Sequence, residues 1–244
     1  LNHDSPLQSA LSEPKEESHF LVSRAENTIN TSFPLFREGK AIAGMTSIII
    51  LTYNSLEHTK KCVKSIRKHT PEPHEIIFVD NGSTDSTVKW LQSHLIVNKN
   101  FHLIENKENV GLAKGRNQGI NMSQGEFIVF VESDVVVTEG WLHTMLQVLN
   151  HSSDVGIVGP MTNNSASIQR ITDDSYKSLN YLDKYAKIFK QQFHYRRIPC
   201  RSIAGFCMLF KRTLVEKIGL FDERFNTGQF EDEDFCLRAA LDGY

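Results

Sequence analysis

The chain has 244 residues, of which 40% are hydrophobic and 23% charged, which is enough for one sizeable buried core. A formal net charge of −2 gives no overall electrostatic basis for binding nucleic acid or an anionic membrane. No run of the sequence approaches the roughly 20 apolar residues of a membrane-spanning helix.

The cysteines and histidines show no spacing typical of a metal site. The four cysteines include no CxxC pair and the ten histidines no HExxH pattern. The N-terminus is acidic and lacks the basic region and apolar stretch of a signal peptide. We therefore predict reduced, buried cysteines in a cytoplasmic protein, held at the inner face of a membrane only by partners or by segments outside this sequence. The cysteines are Cys62, Cys200, Cys207 and Cys236.

Residues 1–45 are rich in Ser, Glu, Asn and Pro and show no sustained hydrophobic period, which is typical of a linker or of the remainder of a preceding module. A domain is predicted from Thr46 to the end of the chain. Because the sequence starts at Leu1 rather than at Met and stops at Tyr244 inside a predicted helix, we expect a fragment of a longer protein.

Strands and helices alternate through the first half of this domain. Four short apolar runs predict buried strands, and each is followed by an amphipathic or helix-forming segment. The strands are predicted at Ser47–Leu51, Glu75–Val79, His102–Glu105 and Glu126–Val131, and the helices begin near Leu56, Asp85, Leu112 and Trp141. This alternation favours right-handed crossovers and therefore an α/β fold, an open, mainly parallel sheet of Rossmann type with helices on both faces.

The second half is less regular. Short strands are predicted at Val155–Val158 and Gly205–Phe210, a helix at Arg212–Ile218, and a last helix from Asp232 onward. Between the two strands, residues 161–200 are polar and loop-rich. They include an aromatic and basic stretch, 181–197, which we interpret as part of the core in preference to a surface for an acceptor.

Polar residues follow three of the predicted strands. They are Thr52-Tyr53-Asn54, Asp80-Asn81-Gly82 and Glu132-Ser133-Asp134. In open α/β sheets, ligands bind outside the carboxyl ends of the strands. We therefore expect these three segments to converge on one crevice.

Two acidic clusters are candidate sites of chemistry. Glu132 and Asp134 stand one residue apart at a strand end, an arrangement that suits Mg²⁺ or Mn²⁺ bound to a diphosphate, although an ordinary polar turn has the same pattern. Residues 231–234 are four consecutive carboxylates at a predicted helix N-terminus. They exceed what the helix dipole requires, and their mutual repulsion favours a general base. Neither cluster is specific by itself.

The segment from Asp80 to Asp85 is more specific. An aspartate at a strand end can accept a hydrogen bond from a base or a ribose hydroxyl, and the Asn81-Gly82 pair permits a positive φ. The sequence has no GxGxxG after its first strand and no GxxxxGK[ST] segment. These absences argue against a dinucleotide-dependent oxidoreductase and a P-loop NTPase.

Seven segments, taken in order, resemble glycosyltransferase family 2. They are TSIIILTYN, EIIFVDNGSTDST, NVGLAKGRNQGI, FVESDVVVTEGWL, VGIVGP, GFCMLFKR and GLFDERF with EDEDFCLRAALDGY. The resemblance covers Met45 to Tyr244. It implies a GT-A fold and an inverting transfer of a sugar from a nucleoside diphosphate sugar to an acceptor hydroxyl, in glycan or cell-surface polysaccharide synthesis. The acceptor would be a glycan, a lipid-linked molecule or a protein, and no nucleic-acid partner is expected.

The resemblance also implies a division of the domain and a set of donor-binding residues. Residues 46–134 would form the nucleotide-binding half and residues 135–244 a smaller acceptor-side half, truncated at its C-terminus. The donor would be bound by side chains at the strand ends and in the third helix. These residues are Thr52, Tyr53, Asn54, Asp80, Lys114, Arg116, Asn117 and Ser133.

Metal binding and catalysis are implied for the two acidic clusters. Asp134 would be the direct ligand of Mg²⁺ or Mn²⁺. Glu132 replaces the first aspartate of the family's D-x-D motif, and its longer side chain leaves open whether it also binds the metal. Asp232 would be the catalytic base. Glu231 and Asp234 would support it, with Arg238 one helical turn further on.

Two other functions stay open at this stage. A non-catalytic module that binds nucleotide sugars would have the same fold, and the glutamate at position 132 is compatible with it. A nucleotidyltransferase on a related sheet is disfavoured, because its Gly-rich phosphate loop is absent after the first strand. The sequence identifies neither the sugar nor the base.

Overall fold

The structure, a computed structural model, describes residues 41–171, 178–193, 196–225 and 230–244. Most of the predicted linker, residues 1–40, lies outside this range. The first strand already begins at Ile42, but its pairing shifts register between Ile42 and Thr46, and the regular ladder starts at Thr46. Division of the chain near this residue stays a prediction.

Six strands form one sheet in the order β3-β2-β1-β4-β6-β5. The pairs β1–β2, β1–β4 and β2–β3 are parallel. Strand β6 is antiparallel to both of its neighbours, β4 and β5. The predicted α/β fold with a mainly parallel sheet is thereby confirmed. The strands are β1 (Ile42–Thr52), β2 (His74–Asp80), β3 (Phe101–Glu105), β4 (Gly125–Val131), β5 (Ile157–Val158) and β6 (Cys207–Lys211).

Seven α-helices lie in the described ranges. They are α1 (Leu56–His69), α2 (Thr87–Leu95), α3 (Leu112–Met122), α4 (Trp141–Leu149), α5 (Leu182–Gln192), α6 (Arg212–Ile218) and α7 (Glu231–Leu241), with short 3-10 turns at Leu179–Tyr181 and Glu223–Phe225. Six of these helices were predicted from the sequence near their observed positions. Four of them, α1 to α4, come from the alternating pattern, α6 from the segment after β6, and α7 from the acidic turn. Helix α5 was not predicted.

The sheet is covered on both faces, as predicted. Helices α1, α2 and α4 pack on one face, and α3, α6 and α7 pack on the other. Strand β1 shows why the sequence forms this arrangement: Ile48 and Ile50 join the first core cluster, while Ile49 between them joins the second. Alternate residues of a strand point to opposite faces, so a continuous β-branched run is buried on both sides.

The aromatic stretch 181–197 is not part of the core. None of its described residues is buried, and the exposed fraction reaches 61% for Tyr181 and 54% for Ile188. Tyr195 lies outside the described residues. The rings of Tyr185, Phe189 and Phe193 contact one another along α5. The prediction of core was wrong because this helix lies on the surface, where its aromatic rings contact one another.

The predicted burial of the cysteines was wrong at one position. Cys200 is exposed, whereas Cys62, Cys207 and Cys236 are buried. Cys200 lies in the loop before β6, outside the strands and helices that form the core.

Candidate functional site

A cleft of about 410 Å³ opens at the carboxyl ends of β1 and β4, next to the end of β2. It brings together three segments that the sequence predicted to converge. Its lining includes Thr52, Tyr53, Asn81, Glu132, Ser133 and Asp134. The position agrees with the rule for open α/β sheets, because parallel strands present their carboxyl ends at one edge.

A chain of hydroxyl groups joins the loop after β1 to the acidic loop after β4. Thr52 Oγ1 lies 3.0 Å from Thr59 Oγ1 and 3.1 Å from Ser55 Oγ. Ser55 Oγ in turn lies 3.1 Å from Ser133 Oγ. Ser133 therefore fixes the acidic loop to the first turn of α1, and Tyr53, 49% exposed, is left at the rim of the cleft.

Asn54 does not line the cleft and instead bonds to the backbone of a neighbouring loop. Its backbone is in the left-handed region, with φ of 48°. Its Oδ1 accepts hydrogen bonds from the backbone N–H of Thr84 at 2.7 Å and of Asp85 at 3.2 Å. Asn54 thus ties the loop after β1 to the loop after β2, and its predicted contact with a nucleotide stays a prediction.

Asp80 is completely buried at the end of β2. Its Oδ1 accepts from the backbone N–H of Gly82 at 3.1 Å and of Ser83 at 2.8 Å, and its Oδ2 accepts from Ser83 Oγ at 2.6 Å. The carboxylate stabilises the turn that follows β2. Its neighbour Asn81, which was not a predicted site residue, lines the cleft instead.

The three predicted residues of α3 have different settings. Lys114 is exposed and is not among the residues that line the cleft. Asn117 is buried and exchanges hydrogen bonds with the backbone of Phe221, 2.8 Å from its carbonyl oxygen and 2.9 Å from its nitrogen. Asn117 therefore attaches α3 to the segment after α6. Of the three, only Arg116 reaches the cleft.

Arg116 connects the two acidic clusters. Its guanidinium, 3% exposed, donates to Glu231 Oε1 at 2.8 Å and to the carbonyl oxygen of Gly205 at 3.1 Å. It also lies 3.8 Å from Glu132 Oε1 and over the ring of Phe130. A single buried cation thus joins carboxylates that are about a hundred residues apart in the sequence.

The first acidic cluster is accessible. Asp134 is exposed, and the Glu132 side chain is 45% exposed. Burial of part of that side chain raises the pKa of Glu132, the carboxylates of Asp134, Glu231 and Asp232 raise it further, and Arg116 opposes them. The two clusters are therefore close enough to act on each other electrostatically.

The donor set fits a divalent cation whose coordination is shared with a ligand. Within the described ranges, no three His, Cys, Asp or Glu side chains form a complete metal site. Two carboxylates, Glu132 and Asp134, nevertheless face a cleft large enough for a diphosphate. Mg²⁺ commonly takes one or two protein carboxylates and completes its shell with phosphate oxygens and water.

The second acidic cluster is attached to the wall of the cleft. Asp232 Oδ2 accepts from the backbone N–H of Gly205 at 2.8 Å, and its Oδ1 accepts from that of Glu233 at 2.9 Å. Asp234 pairs with Arg238, as expected, at 2.9 Å. Gly205 itself lines the cleft, so the half-buried Asp232 is in direct contact with a residue of the cleft wall.

Several lining residues were missed by sequence reasoning. Ser55 and His58 follow the TYN segment, Asn109 begins the NVGLAKGRNQGI segment and Gly205 begins the GFCMLFKR segment. The motifs therefore offered a signal near each of these positions. A Cβ atom at Gly205 would clash with the Arg116 guanidinium as it lies now, so glycine allows this cation to approach the backbone closely.

Comparisons with known proteins match the chain to a family model and to several glycosyltransferases. The family model described as glycosyl transferase family 2 matches residues 47–219. The putative glycosyltransferase EpsH of Bacillus subtilis is 28% identical over 79% of this chain and 55% of its own length. Poly-beta-1,6-N-acetyl-D-glucosamine synthase of Staphylococcus aureus is 25% identical over 83% of this chain and 47% of its own length. The chain thus spans about half the length of these curated relatives.

A solved structure has a similar fold. Mannosyltransferase PcManGT of Pyrobaculum calidifontis, in complex with GDP-Man and Mn²⁺, superimposes with a TM-score of 0.62 at 19% identity. The match covers 93% of this chain and 60% of that protein. At this identity the likeness concerns the fold, which is the GT-A fold that the motifs implied.

Proposed function

Because the chain belongs to glycosyl transferase family 2, we propose that it transfers a sugar from a nucleoside diphosphate sugar to an acceptor hydroxyl, with metal assistance and with inversion at the anomeric carbon. One observation carries this proposal. A single cleft at the strand ends exposes the carboxylates of Glu132 and Asp134, and Asp232 is attached to the wall of the same cleft at Gly205.

The first cluster would hold the donor diphosphate. Mg²⁺ or Mn²⁺, when bound, supplies Lewis-acid neutralisation of the charge that develops on the leaving group. Asp134 is the exposed carboxylate and the better placed ligand. Glu132 is drawn towards Arg116, which would limit its share of the metal.

The second cluster would supply the base. Asp232 accepts two backbone hydrogen bonds that fix its carboxylate, and it would take the proton of the acceptor hydroxyl as that oxygen attacks. One direct displacement, with the leaving group on the opposite side, inverts the anomeric centre. Glu231 would keep the helix start in place through Arg116.

The relatives support the substrate class at a coarse level. One solved neighbour binds GDP-Man and Mn²⁺, and one curated relative is named for the synthesis of a polysaccharide. We propose a nucleoside diphosphate sugar as donor and a glycan, a lipid-linked molecule or a protein as acceptor. We also propose a cytoplasmic location, since all four cysteines are free thiols, in keeping with a reducing compartment.

The proposal is tested by titrating the chain with UDP, GDP and dTDP, with and without Mn²⁺, in a calorimeter. We expect one nucleotide to bind at least about tenfold more tightly with Mn²⁺. Asp134→Asn should abolish this gain, whereas the matched control Asp154→Asn, an exposed residue on the loop after α4, should keep it. Equal binding with and without Mn²⁺ would contradict metal assistance. Tight binding without sugar transfer to any acceptor would favour the non-catalytic alternative.

A further inference from the structure

Helix α1 carries a basic stripe on its outer surface. Its inner side is buried at Cys62, Val63 and Ile66. Its basic residues recur at helical spacing on the opposite side, which is the exposed one. Lys61, Lys64, Arg67 and Lys68 are exposed, and Lys60 is half-buried and pairs with Glu57.

Helix α5 presents apolar and basic side chains to solvent together. Tyr181, Lys184 and Ile188 follow one another at spacings of three and four residues and share one side of the helix. Tyr181 is 61% and Ile188 is 54% exposed, and Lys187 lies beside them. Exposed apolar side chains are common singly, but here two of them share one side of a helix with lysines.

The two helices form one surface. Asp183 of α5 pairs with Lys68 at 2.5 Å and with His69 at 3.3 Å. Within these two helices, eight lysine and arginine side chains oppose only two acidic ones, an excess of six in a chain whose formal net charge is −2. We call this surface, made of the outer sides of α1 and α5 with Tyr181, the basic face. Glu72 and Glu139 lie near its end, beside Lys68.

We propose that the basic face docks the chain on an anionic lipid surface. Interfacial helices combine lysines, which attract anionic headgroups, with aromatic and aliphatic side chains that enter the headgroup boundary. Lys184, Tyr181 and Ile188 supply both components on one side of α5. A soluble polyanion would use the lysines alone. None of the described helices is long and apolar enough to cross a membrane, so this contact would be a peripheral one.

The orientation is compatible with an open cleft. Helix α1 starts at Leu56, next to the cleft residue Ser55 at the carboxyl ends of the strands. It ends at His69, shortly before the amino end of β2 at His74. At 1.5 Å per residue its 14 residues run for about 21 Å. The basic face therefore begins beside the cleft and runs away from it along α1, and none of its lysine and arginine residues lines the cleft. The proposal rests on this charge distribution and not on the proposed sugar transfer.

The first test is flotation of the chain with vesicles of phosphatidylcholine alone or with about one third phosphatidylglycerol. We expect binding only to the anionic vesicles, weakening as salt rises. The triple variant Lys64→Glu, Lys184→Glu and Lys187→Glu should bind at least about 100-fold more weakly, since each cation near such a surface contributes about fivefold and each new carboxylate is repelled. A matched control with the same charge change, Lys89→Glu, Lys99→Glu and Lys107→Glu, should retain binding. Loss in the control, or retention in the triple variant, would overturn the proposal.

A second test separates lipid from a soluble polyanion. Tyr181→Ser with Ile188→Ser leaves every charge in place and removes the two most exposed apolar side chains of the basic face. We expect weaker binding to the anionic vesicles and unchanged binding to heparin. If vesicle binding is unchanged as well, the lysines act alone, and a soluble polyanion replaces lipid as the partner.

Discussion

The two acidic clusters have similar sequences and different surroundings. In Glu132-Ser133-Asp134, the aspartate is exposed and the glutamate side chain is 45% exposed at the rim of the cleft. In the second cluster, Glu231 is 3% exposed and bonded to Arg116, and Asp232 is bonded to the backbone of Gly205. The first cluster is open to a ligand, and the second is built into the protein.

The shared cation shows how the difference arises. Arg116 lies 2.8 Å from Glu231 but 3.8 Å from Glu132, so its short contact belongs to the buried carboxylate. Buried charges need a close partner, whereas exposed ones are stabilised by water. A row of carboxylates is therefore not one functional unit, because each position has its own solvent access and its own partner.

The largest expected effect separates the base from its neighbours. Asp232→Asn keeps the shape of the side chain but removes the group that accepts the proton. Its amide oxygen can still accept one of the two backbone hydrogen bonds, from Gly205 or from Glu233, and the other one is lost. We expect sugar transfer to fall by about 10²- to 10⁴-fold with unchanged nucleotide binding. The measurement is the transfer rate at saturating donor. Near-normal transfer would show that another group is the base.

The next effect concerns the stability of the buried pair. Arg116→Met fills much of the same space but takes the cation away from Glu231, and breaking a buried ion pair in this way costs about 3–5 kcal/mol in the free energy of unfolding. Urea denaturation measures it. Adding Glu231→Gln to Arg116→Met should recover a part of the loss, because the buried negative charge disappears too. A cost below about 1 kcal/mol for Arg116→Met would mean that the pair contributes little.

The sequence predicted the sheet and the crevice because both depend on local patterns. Continuous β-branched runs such as Ile48-Ile49-Ile50 identify buried strands, and polar residues after them identify strand ends. The antiparallel direction of β6 leaves no such pattern. Helix α5 was missed because none of its residues is buried, so its apolar positions do not mark a core-facing side.

Individual site residues were less predictable, because a polar side chain at a strand end can serve either a ligand or the backbone. The side-chain oxygens of Asp80 and Asn54 both accept hydrogen bonds from backbone N–H groups of the loop after β2. Asn117 is likewise occupied by the backbone of Phe221. The link from Arg116 to Glu231 joins residues far apart in the sequence and depends on the missing side chain of Gly205, so only the fold reveals it.

The smallest expected effect is on the free energy of unfolding, and it comes from an ion pair of intermediate burial. The Arg238–Asp234 pair, with side chains 9% and 25% exposed, lies between the buried Arg116–Glu231 pair and the Lys60–Glu57 pair on the surface of α1. Asp234→Asn should lower the free energy of unfolding by about 0.5–1 kcal/mol, because water screens this contact in part.

Glu57→Gln is the matched control for Asp234→Asn, since it removes one carboxylate from an exposed pair within one helix. We expect no measurable change in its unfolding midpoint. Sugar transfer should be nearly normal in both variants, because these carboxylates pair with Arg238 and Lys60, away from the cleft lining. Asp232 differs from them in its hydrogen bond to the lining residue Gly205. If Asp234→Asn instead abolished transfer at unchanged stability, Asp234 would share the role of Asp232, and the second cluster would act as a catalytic pair rather than as one base with structural neighbours.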